Sequence, residues 1–298
     1  MRELLVCPIC LSEDRKLVYP STLVSEISHK NIPDPYSAHY QINQCSGCDL
    51  RFSSPILDEQ GVTALYCQSE NGNISDGEFD NVRRTMYNYY DLAKPYIKAR
   101  DKVLDIGCDV GYFLESALED NFKEIHGLEP TTPARVIAEK LPNSKISEKF
   151  YEAIEYEANY FDLVSMIHVL DHLVDPSIAL KKAHHELKIG GLLIAVVHNS
   201  KSILGVMMGE KFPVYNLYHH YFFTKSTLRK LLESQGYEVI KVVSTKNCYS
   251  IGFFIQKIPL LPSYIKDGML KLAKCLSIHK ITLNLPVGNI GVLAKKVR

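Results

Sequence analysis

The stretch Lys102-Val-Leu-Asp-Ile-Gly-Cys-Asp-Val-Gly-Tyr-Phe113 decides how the rest of the chain is read. Lys102 to Ile106 is a short apolar run of the kind that fills a central parallel strand. The run breaks at Gly107, and Gly111 opens a segment over about 111–120 that reads as a helix. Glycines at these places permit a tight turn and let backbone N–H groups face an anion at a helix N-terminus. Their spacing is G-x-x-x-G, not the G-x-G-x-x-G with which a dinucleotide-binding turn approaches a pyrophosphate. A nicotinamide oxidoreductase is therefore disfavoured.

Downstream, strands and helices alternate. Glu124–Glu129 reads as a strand, about 132–140 as a helix, 145–148 as a short strand and Phe161–Ile167 as a buried strand. A helix over about 176–187 leads through Gly190-Gly191 to the strand Leu192–Val197. Thr224–Ser234 has an N-cap threonine and a leucine stripe and stops at Gly236. Late strands at Tyr237–Val243 and Ile290–Lys296 bracket a mostly helical segment, 259–282. Such alternation implies an α/β fold with an open parallel sheet and helices on both faces. Ligands of such sheets bind beyond the strand C-termini, where Glu129 can accept both hydroxyls of a ribose.

Upstream, the 298 residues give a prior of about two domains. Basic and acidic residues number 34 each, so the formal charge is zero, and nucleic acid is a disfavoured partner. The N-terminus lacks the apolar core of a signal peptide, and no run is long enough to span a bilayer, which points to a cytoplasmic protein. The lysines of 259–282 among apolar residues could lie on a membrane surface, although such a stretch more often covers a pocket. A connecting helix is expected over Phe79–Lys98, with Val82, Met86, Tyr89/Tyr90 and Ala93 on helical spacing, behind a polar loop at 58–78.

The cysteines divide into two groups. Cys7-Pro-Ile-Cys10 and Cys45-Ser-Gly-Cys48 are CxxC pairs, while Cys67, Cys108, Cys248 and Cys275 are single. Two such knuckles supply four tetrahedral sulfur ligands to a structural zinc, with Gly47 expected to take a positive φ. The gap between the pairs exceeds the roughly 15–20 residues of compact ribbons, and strand-like material fills it. A redox CxxC belongs at a helix start in a thioredoxin-like unit, which is missing here. The organisation read from the chain is a zinc ribbon at 1–57, a linker and connecting helix at 58–99, and an α/β domain at 100–298 with a helical insertion at 259–282.

Taken in order, DIGCDVGYFL, HGLEPT, FDLVSMIHVLDHLVDP and LKIGGLLIAVVHNS resemble the motif series of class I S-adenosylmethionine-dependent methyltransferases. HHYFFTKSTLRKLLESQGYEVIKV extends the resemblance toward the C-terminus, and the ribbon in front is similar to that of deoxysugar C-methyltransferases and related small-molecule enzymes. The resemblance implies a Rossmann-like seven-stranded sheet with its last strand antiparallel. It implies that Asp105, Gly107, Cys108, Gly111 and Tyr112 surround the methionine end of the cofactor, and that Glu129 and Pro130 meet its ribose. It further places His168 beside the sulfonium and makes His219 the base facing a small-molecule acceptor, such as a nucleotide-linked sugar. Tyr215, Tyr218 and His220 share that segment and could substitute. Asp171-His172 stands where the family often reads Glu-His, although the pair could simply cap the helix ahead. Asp109 occupies a position that is usually glycine; aspartate tolerates unusual backbone angles, yet the exchange also admits a retired domain that serves as a scaffold. Cys108 reads equally as a packing residue, and His184 and His185 as a solvated helix face.

Overall fold

The computed structural model describes residues 1–23, 38–58, 60–62, 64, 78–258, 261–286 and 288–298. Most of the 58–78 loop, Cys67, and residues 259 and 260 lie outside that set.

Strand β4 (Lys102–Ile106) lies inside a seven-stranded sheet, between β5 (Glu124–Leu128) and the central strand β7 (Phe161–Ile167), parallel to both. All seven residues of β7 are buried, as expected of a strand covered on both faces. Beyond β5 lies β6 (Ser144–Ser147), and beyond β7 lies β8 (Leu187–His198), also parallel. The last strand, β13 (Asn289–Lys296), inserts antiparallel between β8 and β10 (Tyr237–Ser244). This is the seven-stranded Rossmann-like arrangement expected from the motif order.

Alternation along the strands separates two apolar layers. Val103, Ile125, Leu163 and Ile194 pack with Tyr89, Tyr90 and Phe113 from helices α1 (Phe79–Ala93) and α2 (Tyr112–Glu119). Leu104, Leu128, Val164 and Leu193 face the opposite layer. Leu180 of α4 (Pro176–Glu186) and Leu228 of α6 (Lys225–Ser234) cover them there; α3 is Thr132–Ala138 and α5 is Ile203–Met208. That second layer runs without a break into Leu4, Leu50, Phe52 and Ile56 of the N-terminal region.

The N-terminal sheet joins β1 (Arg15–Tyr19), β2 (Ile42–Cys45) and β3 (Arg51–Ser53) to a strand from far along the chain, β9 (Tyr221–Phe222). Arg51 pairs with Phe222 and Phe52 with Tyr221. Two residues are too few to show a period of two, so β9 leaves no pattern in the sequence.

Other differences have local causes. The strand expected at Leu192 begins at Leu187, because Gly190 at φ +81° accommodates an irregularity that periodicity alone reads as a loop. On α1, Tyr89, Tyr90 and Ala93 are buried and Met86 packs partly buried beside them, as the spacing predicts, while Asn81 and Thr85 join the buried face. Their side chains bond Glu78 and the Cys248 amide, while Val82 and Met86 face a cavity. His184 packs edge-on against Tyr237 at 4.9 Å, so only His185 lies on an exposed face. The 259–282 segment contains helix α8 (Ser263–Cys275), packed beside α7 (Ile251–Lys257). Strands β11 (Asn247–Ser250) and β12 (Thr282–Leu285) close this region as an antiparallel pair. Among the described residues no helix is long and apolar enough to cross a membrane.

Candidate active site

The loop after β4 turns through three left-handed residues, Gly107 at φ +73°, Asp109 at +47° and Gly111 at +87°. Aspartate is among the few L-residues that visit this region without a large penalty, so the turn survives the exchange at 109. The Gly107 and Cys108 amides donate to the Leu128 carbonyl at 2.9 Å each, tying the loop to the tip of β5. A side chain at Gly107 would come within 2.8 Å of Val169 Cγ2, so this position needs glycine for space as well as conformation.

Three carboxylates converge here. Asp105 is 2% exposed and accepts from the Ser165 hydroxyl at 2.7 Å; burial, with the charges of Glu129 and Asp109, lifts its pKa to about 7. Glu129 points inward, its Oε2 accepting from the Asp109 amide at 3.1 Å and its Oε1 from the Thr131 amide at 2.7 Å and the Thr131 hydroxyl. Asp109 is exposed at the mouth of the crevice, where partial desolvation and repulsion from Glu129 raise it to about 6. A crevice with this charge favours a cationic ligand.

Two cavities flank the loop. The larger, about 490 Å³, is walled by Glu129, Pro130, Phe150, Ile167 and His172 among others. The smaller, about 200 Å³, is walled by Val82, Met86, Asp105, Asp109 and Tyr112. They meet at Gly107, Ile167 and His168, as an elongated ligand held at both ends requires. Of the expected cofactor residues, Asp105, Gly107, Cys108, Tyr112, Glu129, Pro130 and His168 lie on these walls, while Gly111 stands behind them as the N-cap of α2. His168 is a cavity-lining residue at φ +54°, and the sulfur of Cys108 is buried beneath the loop.

Past His168 the crevice ends in a cluster of histidines around Asp171, which is 1% exposed. Asp171 does not cap the next helix; Asp175 does, accepting from Ser177 and Ile178. Instead, Asp171 Oδ2 accepts from His198 Nδ1 at 3.0 Å. Burial would raise this carboxyl, but the His198 bond and the imidazoles of His172 and His219 outweigh it and hold the pKa well below the usual range. His219 is 6% exposed, with Nδ1 donating to the Val214 carbonyl at 2.8 Å, and it stands outside the walls of both cavities. Tyr215 bonds Arg51 and His220 the Leu173 carbonyl. His198 is the residue that the sequence reading missed; its only signal was its place at the tip of a strand ending one residue later than expected.

The four paired cysteines converge as well. Cys7 Sγ lies 3.5 Å from Cys48 Sγ and Cys10 Sγ 3.4 Å from Cys45 Sγ, with all four within 4.8 Å of one another. The Cys48 thiol beside it lowers Cys7, and the same contact raises Cys48. Gly47 is not at positive φ; Leu11 and Asp49 take that conformation, and Gly47 is small because a Cβ would lie 3.2 Å from Cys10 Sγ.

Residues 80–242 match a family described as a methyltransferase domain. Curated relatives include a tRNA U34 carboxymethyltransferase of Helicobacter pylori strain G27, 32% identical over 211 residues that cover 66% of this chain and 79% of that protein. An Aliarcobacter butzleri protein of the same description is 29% identical over 181 residues, covering 58% and 59%. The tRNA in that description is of the class that a balanced charge disfavours. Among solved structures, a S-adenosylmethionine-dependent methyltransferase from Archaeoglobus fulgidus superposes with a TM-score of 0.51 at 20% identity, over 78% of this chain and 99% of that one. A chain from the complex of the Haloferax volcanii Trm112 methyltransferase activator with a methyltransferase gives 0.53 at 14% identity, over 82% and 100%.

Proposed function

The chain belongs to the methyltransferase-domain family and is an S-adenosylmethionine-dependent methyltransferase; from that premise we propose that it methylates a small polar acceptor at the histidine end of the crevice. The observation that carries the reading is the pair of cavities meeting at His168, one closed by Glu129 and the other by Asp105 and Asp109. S-adenosylmethionine, when bound, supplies a methyl group already activated as a sulfonium.

The chain's own residues then bind, orient and accept a proton. Glu129 accepts three hydrogen bonds, two on Oε1 and one on Oε2, which leaves an Oε2 lone pair for a ribose hydroxyl. Asp105 and Asp109 supply negative charge for the cationic amino-acid end. Ile167 and His168 wall the junction and align donor with acceptor, which is most of what an in-line displacement asks of an enzyme. Sequence pattern put His219 forward as the base. Geometry favours His198: Asp171 holds its Nδ1–H, leaving Nε2 with a lone pair, and its side chain is 28% exposed against 7% for His219.

The four cysteines take a structural zinc. Their 3.4–3.5 Å contacts lie near the ~3.8 Å edge of a tetrahedron with Zn–S of about 2.3 Å. The Gly47 amide donates to Cys45 Sγ at 3.3 Å, as suits a thiolate.

A second reading takes its substrate from the relatives: a tRNA wobble uridine, with a carboxymethyl group transferred. Against the carboxylated donor, Lys149 is the sole lysine or arginine among the described residues lining either cavity, and it lies beside Phe150 in the loop after β6. The test is calorimetry with S-adenosylmethionine, followed by transfer of labelled methyl into small-molecule and tRNA fractions of the host. Micromolar binding and label in the small-molecule fraction are expected. Label confined to tRNA moves the acceptor to the class of the second reading, and absence of binding removes the methyl-transfer reading.

A further inference from the structure

The cluster around Asp171 holds more nitrogen donors than one proton transfer needs. Asp171 Oδ1 is buried and has no hydrogen-bond partner among the described residues, an unusual condition for an ionised oxygen inside a protein. His172 Nε2 lies 3.9 Å from Oδ1 and His219 Nε2 lies 3.9 Å from Oδ2, with the two rings 4.4 Å apart. The donor atoms of these three residues all fall within 4.8 Å of one another.

We propose that Asp171, His172 and His219 form a site for one divalent cation of the zinc class, separate from the four-cysteine cluster and open toward the acceptor end of the crevice. A tetrahedral ion about 2.0–2.1 Å from nitrogen and oxygen separates its ligands by roughly 3.4 Å, so donor atoms within 4.8 Å of one another close on it with side-chain shifts on the order of an ångström. The surroundings match those of metal-binding histidines, whose second nitrogen donates to a carbonyl or carboxylate. His219 gives its Nδ1–H to the Val214 carbonyl, which fixes the tautomer with the Nε2 lone pair toward Asp171. His198 occupies Oδ2 and leaves Oδ1 for the ion. His172 also lines the larger cavity, so the fourth position faces the acceptor. The neighbouring grouping of His168, Asp171 and His198 shares the carboxylate, but there His198 already bonds it. Under this assignment His219 is a ligand, and the proton acceptor is His198.

The test is the metal content of the full-length protein after zinc loading and removal of free metal. Wild type is expected to hold about two equivalents per chain, and His172→Ala and His219→Ala about one. Cobalt substitution separates the sites, because thiolate ligation gives an intense charge-transfer band that imidazole and carboxylate do not. That band, retained in both variants, reports that the ribbon is folded. One equivalent in wild type, or two in both variants, overturns the site.

Discussion

Asp105 and Asp109 titrate near neutrality in the unliganded protein, at about 7 and 6, and a cation in the crevice favours their ionised forms. Binding S-adenosylmethionine therefore releases protons. Affinity should rise between pH 6 and 8, and calorimetry in buffers of different ionisation enthalpy should detect that release. Asp105→Asn should flatten the profile, whereas an unchanged profile would separate these carboxyls from the cofactor. For stability the sign is opposite. The folded pKa of Asp105 exceeds the unfolded value of about 3.9, so the unliganded protein binds more protons than the unfolded chain and loses stability as pH rises from about 4 to 7. At the same scale, Gly111→Ala places a Cβ at φ +87° and 2.7 Å from Leu141 Cδ1. It should cost about 1–3 kcal/mol in a melting experiment and weaken cofactor binding. Loop glycines and the strand-end acid were legible because their chemistry is local. His198 was not, since nothing near it in sequence reveals that it meets Asp171.

Helix α6 shows how much an element can be read from its own residues. Thr224 accepts from the Thr227 amide at 3.2 Å, and the Thr227 hydroxyl accepts from the Thr224 amide at 2.8 Å, completing a capping box just after β9. Thr224→Ala should cost about 1 kcal/mol, a shift of roughly 2–4 °C in melting temperature, checked by calorimetry. Helix α1 was legible as a helix but not in the polar part of its buried face. Asn81 and Thr85 turn inward because β11 and β12 supply partners, Cys248 N–H to Thr85 at 2.8 Å and the Thr282 hydroxyl to Asn81 at 2.7 Å. Hydrophobic periodicity cannot anticipate a polar face whose partners arrive some 160–200 residues later.

Across the whole molecule, the N-terminal sheet is part of the acceptor end. The Ser53 amide donates to the His220 carbonyl at 2.8 Å, the Ser53 hydroxyl to the His219 carbonyl at 3.4 Å, and β3 pairs with β9 immediately beyond. Loosening the cysteine cluster should therefore reach the histidines as well as residues 1–57. In Cys10→Ser and Cys48→Ser, hydrogen exchange should quicken at 216–223, and methyl transfer should fall while cofactor binding at Asp105 and Glu129 persists. Quickening limited to the N-terminal region would show that the sheet is a passive attachment. By itself the sequence determined the parallel strands, the glycine turn, the acid at the tip of β5 and the two cysteine knuckles, because each depends on residues within one strand, turn or short spacing. Only the tertiary structure decided that Asp171 serves His198 rather than a helix end, and that the N-terminal sheet grips the His219 segment. Those contacts join strand tips and loops distant along the chain, which packing of the two apolar layers brings together and no local pattern encodes.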